Sequence, residues 1–166
     1  MPSLTKIVTP QQAWARLTRS CALRETCSQS VRQKLALWKV EEPQAAQLLQ
    51  KLQAAGYVDD ARYARAFTRE KSRYAKWGSA KICQYLQAKR IDADLIRQAL
   101  GEIDVEPQPE VIRELLEKKS HSIRAKSPQD FFAKLVRFGT SRGYSYDLVV
   151  QTAKKLLSKV ELYPDL

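Results

Sequence analysis

Two carboxylates stand side by side at Asp59 and Asp60, directly after Gly56-Tyr57-Val58 and directly before a run of cations. Adjacent acids could hold Mg²⁺ or work as an acid and base pair, but both tasks need further ligands or a histidine. No further acid cluster accompanies them, and the lone His121 lies in a polar stretch without ligand partners. The pair therefore reads as structural: aspartate side chains accept hydrogen bonds from the orphan N–H groups that open a helix, and they complement its dipole. Cys21, Cys27 and Cys83 form no Cys-x-x-Cys pair, so plain reduced thiols are expected rather than a zinc site or a disulfide framework. There is no Gly-rich phosphate loop and no His-Glu-x-x-His. An enzyme is not expected, and neither is a cofactor or a metal.

The other chemistry on offer is charge. From Ala61 to Arg90 there are nine cations against the single acid Glu70, so this segment carries +8 of the chain's formal +11. At about 100° per residue, Arg62, Arg65, Arg69, Arg73 and Lys76 fall in a stripe roughly 80° wide, nearly opposite Tyr63, Phe67 and Tyr74. Like charges at this spacing repel by a few tenths of a kcal/mol per pair, a cost that an anionic partner would offset. Arg62, Arg65, Arg69, Arg73, Lys76 and Lys81 are the candidate partner-binding residues. No Asn/Gln pattern suited to adenine edges accompanies them, which disfavours sequence-specific DNA reading. Trp14, Trp38 and Trp77 could stack on bases, but their apolar and helix-end positions assign them to the core.

What must position these residues is helical. Apolar residues recur at three- and four-residue spacing, only five glycines interrupt them, and no alternating strand pattern competes. Thr9-Pro10-Gln11-Gln12 and Ser127-Pro128-Gln129-Asp130 each offer a hydroxyl N-cap, proline at the first helical position and a polar side chain that reaches back. Gly56 is placed to end one helix in the left-handed conformation before Asp59 or Asp60 starts the next. Gly56, Tyr57 and Asp60 thus shape a joint.

With Leu35, Leu86 and Leu135 in register, the flanking apolar residues repeat at a period of about fifty. Val31 matches Ile82 and Phe131; Ala13 and Leu17 match Tyr63 and Phe67, then Ile112 and Leu116; Ala45 and Leu49 match Ile96 and Leu100, then Val149 and Ala153. The third copy needs extra residues, Gly139 to Arg142, between its second and third helices. The expected fold is all-α, a tandem array of three three-helix repeats at 1–58, 59–106 (basic) and 107–166, forming an elongated, curved body. Short helices are marginal alone, and stacking their amphipathic faces supplies the missing stability.

The chain has 166 residues, 44% of them hydrophobic, enough for a modest core. Its charge points to a polyanion or an acidic protein surface. The N-terminus lacks a signal-peptide layout and no apolar run approaches the ~18 residues of a membrane span, so a cytoplasmic location without membrane attachment is expected.

The stretch GYVDDARYARAFTREKSR resembles the core motif of the RecX regulatory proteins of bacteria, at Gly56, Tyr57, Val58, Asp59, Asp60, Arg62, Tyr63 and Ala64. Trp77-Gly78, Lys81-Ile82, Tyr85-Leu86, Lys89 and Ile91 continue the likeness, with Arg90 where the family usually has Gly. Ser28, Arg32, Lys34 and Leu35 match a weaker first-repeat pattern from which Ser30 and Val31 depart, and Phe138, Arg142, Gly143 and Tyr144 resemble the third. The resemblance implies a non-enzymatic regulator that binds the recombinase RecA as an ATP-bound filament on single-stranded DNA. It further implies seating in the filament's groove and inhibition of ATP hydrolysis, strand exchange and LexA self-cleavage, with effects on recombination, DNA repair and the SOS response. The chain is expected to act as a monomer, with direct DNA contact weak if it occurs. Charge alone also suits a stand-alone helical nucleic-acid-binding module without a recombinase partner.

Overall fold

The structure is a computed structural model and describes residues 8–102 and 109–161. Among these residues the chain forms nine helices: α1 (Pro10–Leu23), α2 (Ser28–Leu37), α3 (Glu42–Ala54), α4 (Asp60–Arg73), α5 (Ser79–Ala88), α6 (Ala93–Gly101), α7 (Pro109–Ser120), α8 (Pro128–Ser141) and α9 (Tyr146–Glu161). Taken in threes, they give the all-α repeat that the apolar spacing predicts.

The helix starts follow local chemistry. Thr9 Oγ1 accepts from the Gln12 amide at 3.3 Å while Gln12 Oε1 accepts from the Thr9 amide at 3.2 Å, a reciprocal cap on α1. Ser127 caps α8 through the Asp130 amide at 3.1 Å, but the Asp130 carboxylate reaches one residue further back, to the Lys126 amide. Asp92 accepts from the Asp94 amide at the start of α6.

The middle helix of each repeat is followed by one residue in the left-handed region: Lys39 (φ 56), Arg90 (φ 54) and Gly143 (φ 88). The interval is larger before the last because α8 has 14 residues where α2 and α5 have 10. The residues from Gly139 onward therefore lengthen the helix by a turn instead of enlarging the loop after it. Gly139 is needed there for packing, since a Cβ at that position would lie 2.6 Å from Val149 Cγ1.

By packing, the described residues gather into two compact bodies. One comprises the chain up to Phe67 with Leu86–Ala99, the other Thr68–Tyr85 with the chain from Leu100 onward. In the first body α1 and α2 both pack on α3, burying Ala13, Leu17, Val31, Leu35, Leu49 and Leu52. In the second, α7, α8 and α9 pack on one another over Ile112, Leu116, Leu135, Val149 and Ala153. Leu35, Leu86 and Leu135 are each 1% exposed or less, so the residues that set the repeat register are core residues.

Helix α4 departs from the expected pattern in two places. Ala64 and Thr68 are fully buried while Tyr63 is half-buried, so the core face is rotated toward small side chains. Thr68 Oγ1 finds no hydrogen-bond partner among the described residues. Tyr74, expected on the aromatic core face, is 77% exposed; it is the first residue past the end of α4 at Arg73, and its amide still donates to the Glu70 carbonyl at 2.9 Å.

Candidate functional site

The candidate residues fall into a joint and a cationic run. At the joint, Gly56 has φ 73, a left-handed value with open space around its Cα, so conformational freedom rather than crowding calls for glycine. Its carbonyl accepts from Arg62 Nη2 at 3.0 Å. The Tyr57 ring meets Trp14 edge-on at 6.1 Å, tying the joint to the first core. The two adjacent acids divide the work. Asp59 Oδ1 accepts from the Arg62 amide at 2.9 Å and caps α4. Asp60 Oδ1 reaches across 32 residues to accept from the Ser28 amide at 2.7 Å. That second bond answers a deficit, because the N-cap of α2 is Cys27, whose side chain makes no cap hydrogen bond. Arg62 Nε pairs with Glu25 at 2.7 Å, and this bond holds the guanidinium still more firmly in its charged form. With side-chain exposures of 41% and 35%, the pair adds little stability but fixes where Arg62 points.

The remaining cations extend along and beyond α4. Arg65 is half-buried, Arg69 and Arg73 are exposed, and Lys76 is exposed in the α4–α5 connection at φ 52. Lys76 thus lies off the helix whose spacing suggested it. Lys81 Nζ donates to the Ser141 carbonyl at 3.1 Å and sits 4.5 Å from the centre of the half-buried Trp77 ring, where Lys71 also approaches at 5.7 Å. Trp14 and Trp38 are likewise half-buried against the first core.

Within the second body, the α4–α5 connection is locked to the α8–α9 connection. The Gly78 amide donates to the Arg142 carbonyl at 2.7 Å, Arg142 Nη1 to the Ala75 carbonyl at 3.2 Å, and Tyr144 Oη to the Lys76 carbonyl at 2.7 Å. Burial pushes the Tyr144 phenol above its ordinary value, which keeps it a donor. Gly78 and Gly143 approach so closely that a Cβ on Gly78 would strike the Gly143 carbonyl, and one on Gly143 would lie 2.5 Å from the Lys81 amide nitrogen. Trp77-Gly78 and Arg142-Gly143-Tyr144 are therefore two halves of one seam.

A second basic segment escaped the reading of the sequence. From Lys118 to Arg142 there are seven cations and one acid, Asp130, and four of the cations, Lys119, Arg124, Lys134 and Arg137, line a cleft between the end of α7 and α8. The charge count would have found it. Among the described residues, no group of three His, Cys, Asp or Glu could hold a metal ion, and no helix is long and apolar enough to cross a membrane. His121 is exposed, and all three cysteines are free thiols.

Fold and surface together define a three-helix repeat protein with a cationic face. Residues 59–100 match the family model described as "RecX, second three-helix domain", and 106–159 match "RecX, third three-helix domain". A "Regulatory protein RecX" of Vibrio campbellii is 38% identical over 119 residues, 70% of this chain and 74% of the relative. One from Clostridium botulinum is 34% identical over 136 residues, covering 80% of this chain and 62% of its own length. The chain thus spans somewhat under two thirds of that longer relative. A crystal structure of regulatory protein RecX superposes with TM-score 0.73 at 23% identity, over 88% of this chain and 71% of that one. RecX from Lactobacillus salivarius gives 0.68 at 20% identity over 89% and 96%. At such identities the superpositions speak for the fold. The chain belongs to the RecX family of regulatory proteins.

Proposed function

We propose that this protein binds RecA assembled on single-stranded DNA and restrains it, lowering ATP hydrolysis, strand exchange and the filament's co-protease action on LexA. Family membership carries the partner, and the cationic run carries the mode of contact. Arg65, Arg69, Arg73, Lys76 and Lys81 supply positive charge, and a filament of acidic protein surface and nucleic acid would present the complementary field. Arg62 contributes to the same field while its guanidinium is directed by Glu25. Gly56, Tyr57 and Asp60 act by shape, holding the start of α4 against the first repeat. The protein acts by occupancy rather than by chemistry on a substrate, and it works in the cytoplasm, as a monomer.

The reading is tested by titrating the protein into RecA turning over ATP on single-stranded DNA at fixed salt. Suppression of turnover is the expected outcome. Unchanged turnover, with tight binding to bare DNA, would favour the stand-alone nucleic-acid-binding module that the charge alone also permits.

A further inference from the structure

We infer that Arg142 and Tyr144, carried by the third repeat, are positioning residues for the cationic face of the second: they hold the α4–α5 connection in one conformation, so that Lys76 and Lys81 meet a partner already arranged. The inference rests on the reading above that these two lysines contact the RecA filament, and it gives a part in that contact to residues that do not make it themselves. Lys76 is the residue that needs holding. Its φ of 52 lies in the left-handed region, where a side chain is strained and glycine is the usual occupant. The Trp77 amide donates to the Lys71 carbonyl at 3.0 Å, which closes the end of α4 around that strained residue.

Two side chains from far along the sequence meet this turn. Tyr144 Oη donates to the Lys76 carbonyl at 2.7 Å across 68 residues, and Arg142 Nη1 to the Ala75 carbonyl at 3.2 Å across 67. Carbonyls at a helix end have no partner within the helix, and water can serve them wherever they are exposed. Here fixed donors serve instead. The Gly78 amide donates in turn to the Arg142 carbonyl at 2.7 Å, so Ala75, Lys76 and Gly78 are each tied to Arg142 or Tyr144. The donors are themselves held. Tyr144 is 6% exposed, and the half-buried Arg142 guanidinium lies 5.1 Å from the centre of the Phe138 ring.

The next residue carries the effect onward. Trp77 meets Tyr85 edge-on at 6.1 Å, with Lys81 Nζ 4.5 Å and Lys71 Nζ 5.7 Å from its ring centre. Lys81 Nζ also donates to the carbonyl of Ser141, the residue directly before Arg142, at 3.1 Å. Its ammonium keeps further donors for a partner. A free lysine loses the rotamer freedom of a long stem when an interface immobilises it, and one held beforehand loses less. Positioning therefore strengthens binding without adding a contact.

The test is a double-mutant cycle in the full chain, read as the concentration that half-suppresses RecA's ATP hydrolysis on single-stranded DNA at fixed salt. Tyr144→Phe removes the hydroxyl without changing charge and should raise that concentration about threefold or more in the wild-type background. In a Lys76→Ala/Lys81→Ala background, itself weakened, the same substitution should change it by less than about 1.5-fold, because no lysine is left to position. A purely structural role would weaken both backgrounds alike. Arg142→Ala should follow the same pattern, whereas an arginine acting through its own charge would weaken both equally. Tyr144→Phe keeps the ring and its packing, so the cycle stands on it if Arg142→Ala fails to fold. The Trp77 indole N–H resonance, assigned with Trp77→Phe, should shift in Tyr144→Phe as the connection loosens. Equal weakening by Tyr144→Phe in both backgrounds, or none in either, overturns the positioning role while leaving the lysines as contacts. Undiminished inhibition by Lys76→Ala/Lys81→Ala instead removes the lysines from the interface, and the positioning role falls with the reading it rests on.

Discussion

The carboxylate of Asp60 accepts the backbone amide of Ser28 at 2.7 Å, so the first residue of one repeat's opening helix caps a helix of the preceding repeat. Its neighbour Asp59 makes the local bond, to the Arg62 amide three residues on. One acid starts α4, and the other secures α4 to α2.

This division predicts different responses to the same substitution. Asp59→Ala removes an exposed cap and should cost about 1 kcal/mol. Asp60→Ala leaves the partly buried Ser28 amide without its acceptor and should cost more, about 1–3 kcal/mol. The double Asn variant keeps an acceptor at each site and should fold with RecA inhibition little changed. Urea denaturation of the three variants, with RecA ATP hydrolysis for the last, checks the assignment. A folded and stable Asn variant without inhibition would make the acids functional.

Arg90 offers the reverse case. It occupies φ 54 at the position where Gly143 ends the third repeat's middle helix, and a side chain there pays a steric cost that glycine avoids. Arg90→Gly should raise stability by about 0.5–1 kcal/mol, seen as a higher urea midpoint at unchanged slope. An unchanged or lower midpoint would show that the arginine contributes more than it strains.

The seam in the second body should be sensitive to single atoms. Gly78→Ala places a Cβ against the Gly143 carbonyl and should cost about 1–3 kcal/mol or more, because both partners are backbone and cannot swing aside. Tyr144→Phe removes only the hydroxyl that serves the Lys76 carbonyl and should cost about 1 kcal/mol. Thermal unfolding of both variants checks the order. A larger loss for Tyr144→Phe would contradict the crowding argument.

The sequence made visible what is local. Thr9 with Gln12, and Ser127 ahead of Pro128, announce their helices because a cap and its target lie within four residues. The leucines at 35, 86 and 135 announce the repeat because burial selects for them. Tertiary relations were hidden. Nothing local says that Asp60 will serve Ser28, since the need arises from Cys27 failing to cap its own helix. Thr68 was passed over because a polar residue carries no apolar signal, though it is fully buried. Tyr74 and Lys76 were placed by continuing the helical angle past Arg73, where α4 stops. The cations from Lys118 to Arg142 were legible by counting, but their density is spread over two helices and a loop, so no single helical stripe displays them.

The central claim is that the cationic face of α4 engages the RecA filament, and the most direct measurement compares wild type with Arg65→Glu/Arg69→Glu/Arg73→Glu in suppressing RecA's DNA-dependent ATP hydrolysis. The variant removes three attractions and adds three repulsions while leaving the buried Ala64 and Phe67 in place. Helicity is checked in parallel at the same salt. Wild type should suppress turnover at well below one molecule per RecA subunit, and the folded triple variant should need at least ten times more. Equal suppression by a folded variant would contradict the account and move the contact off α4.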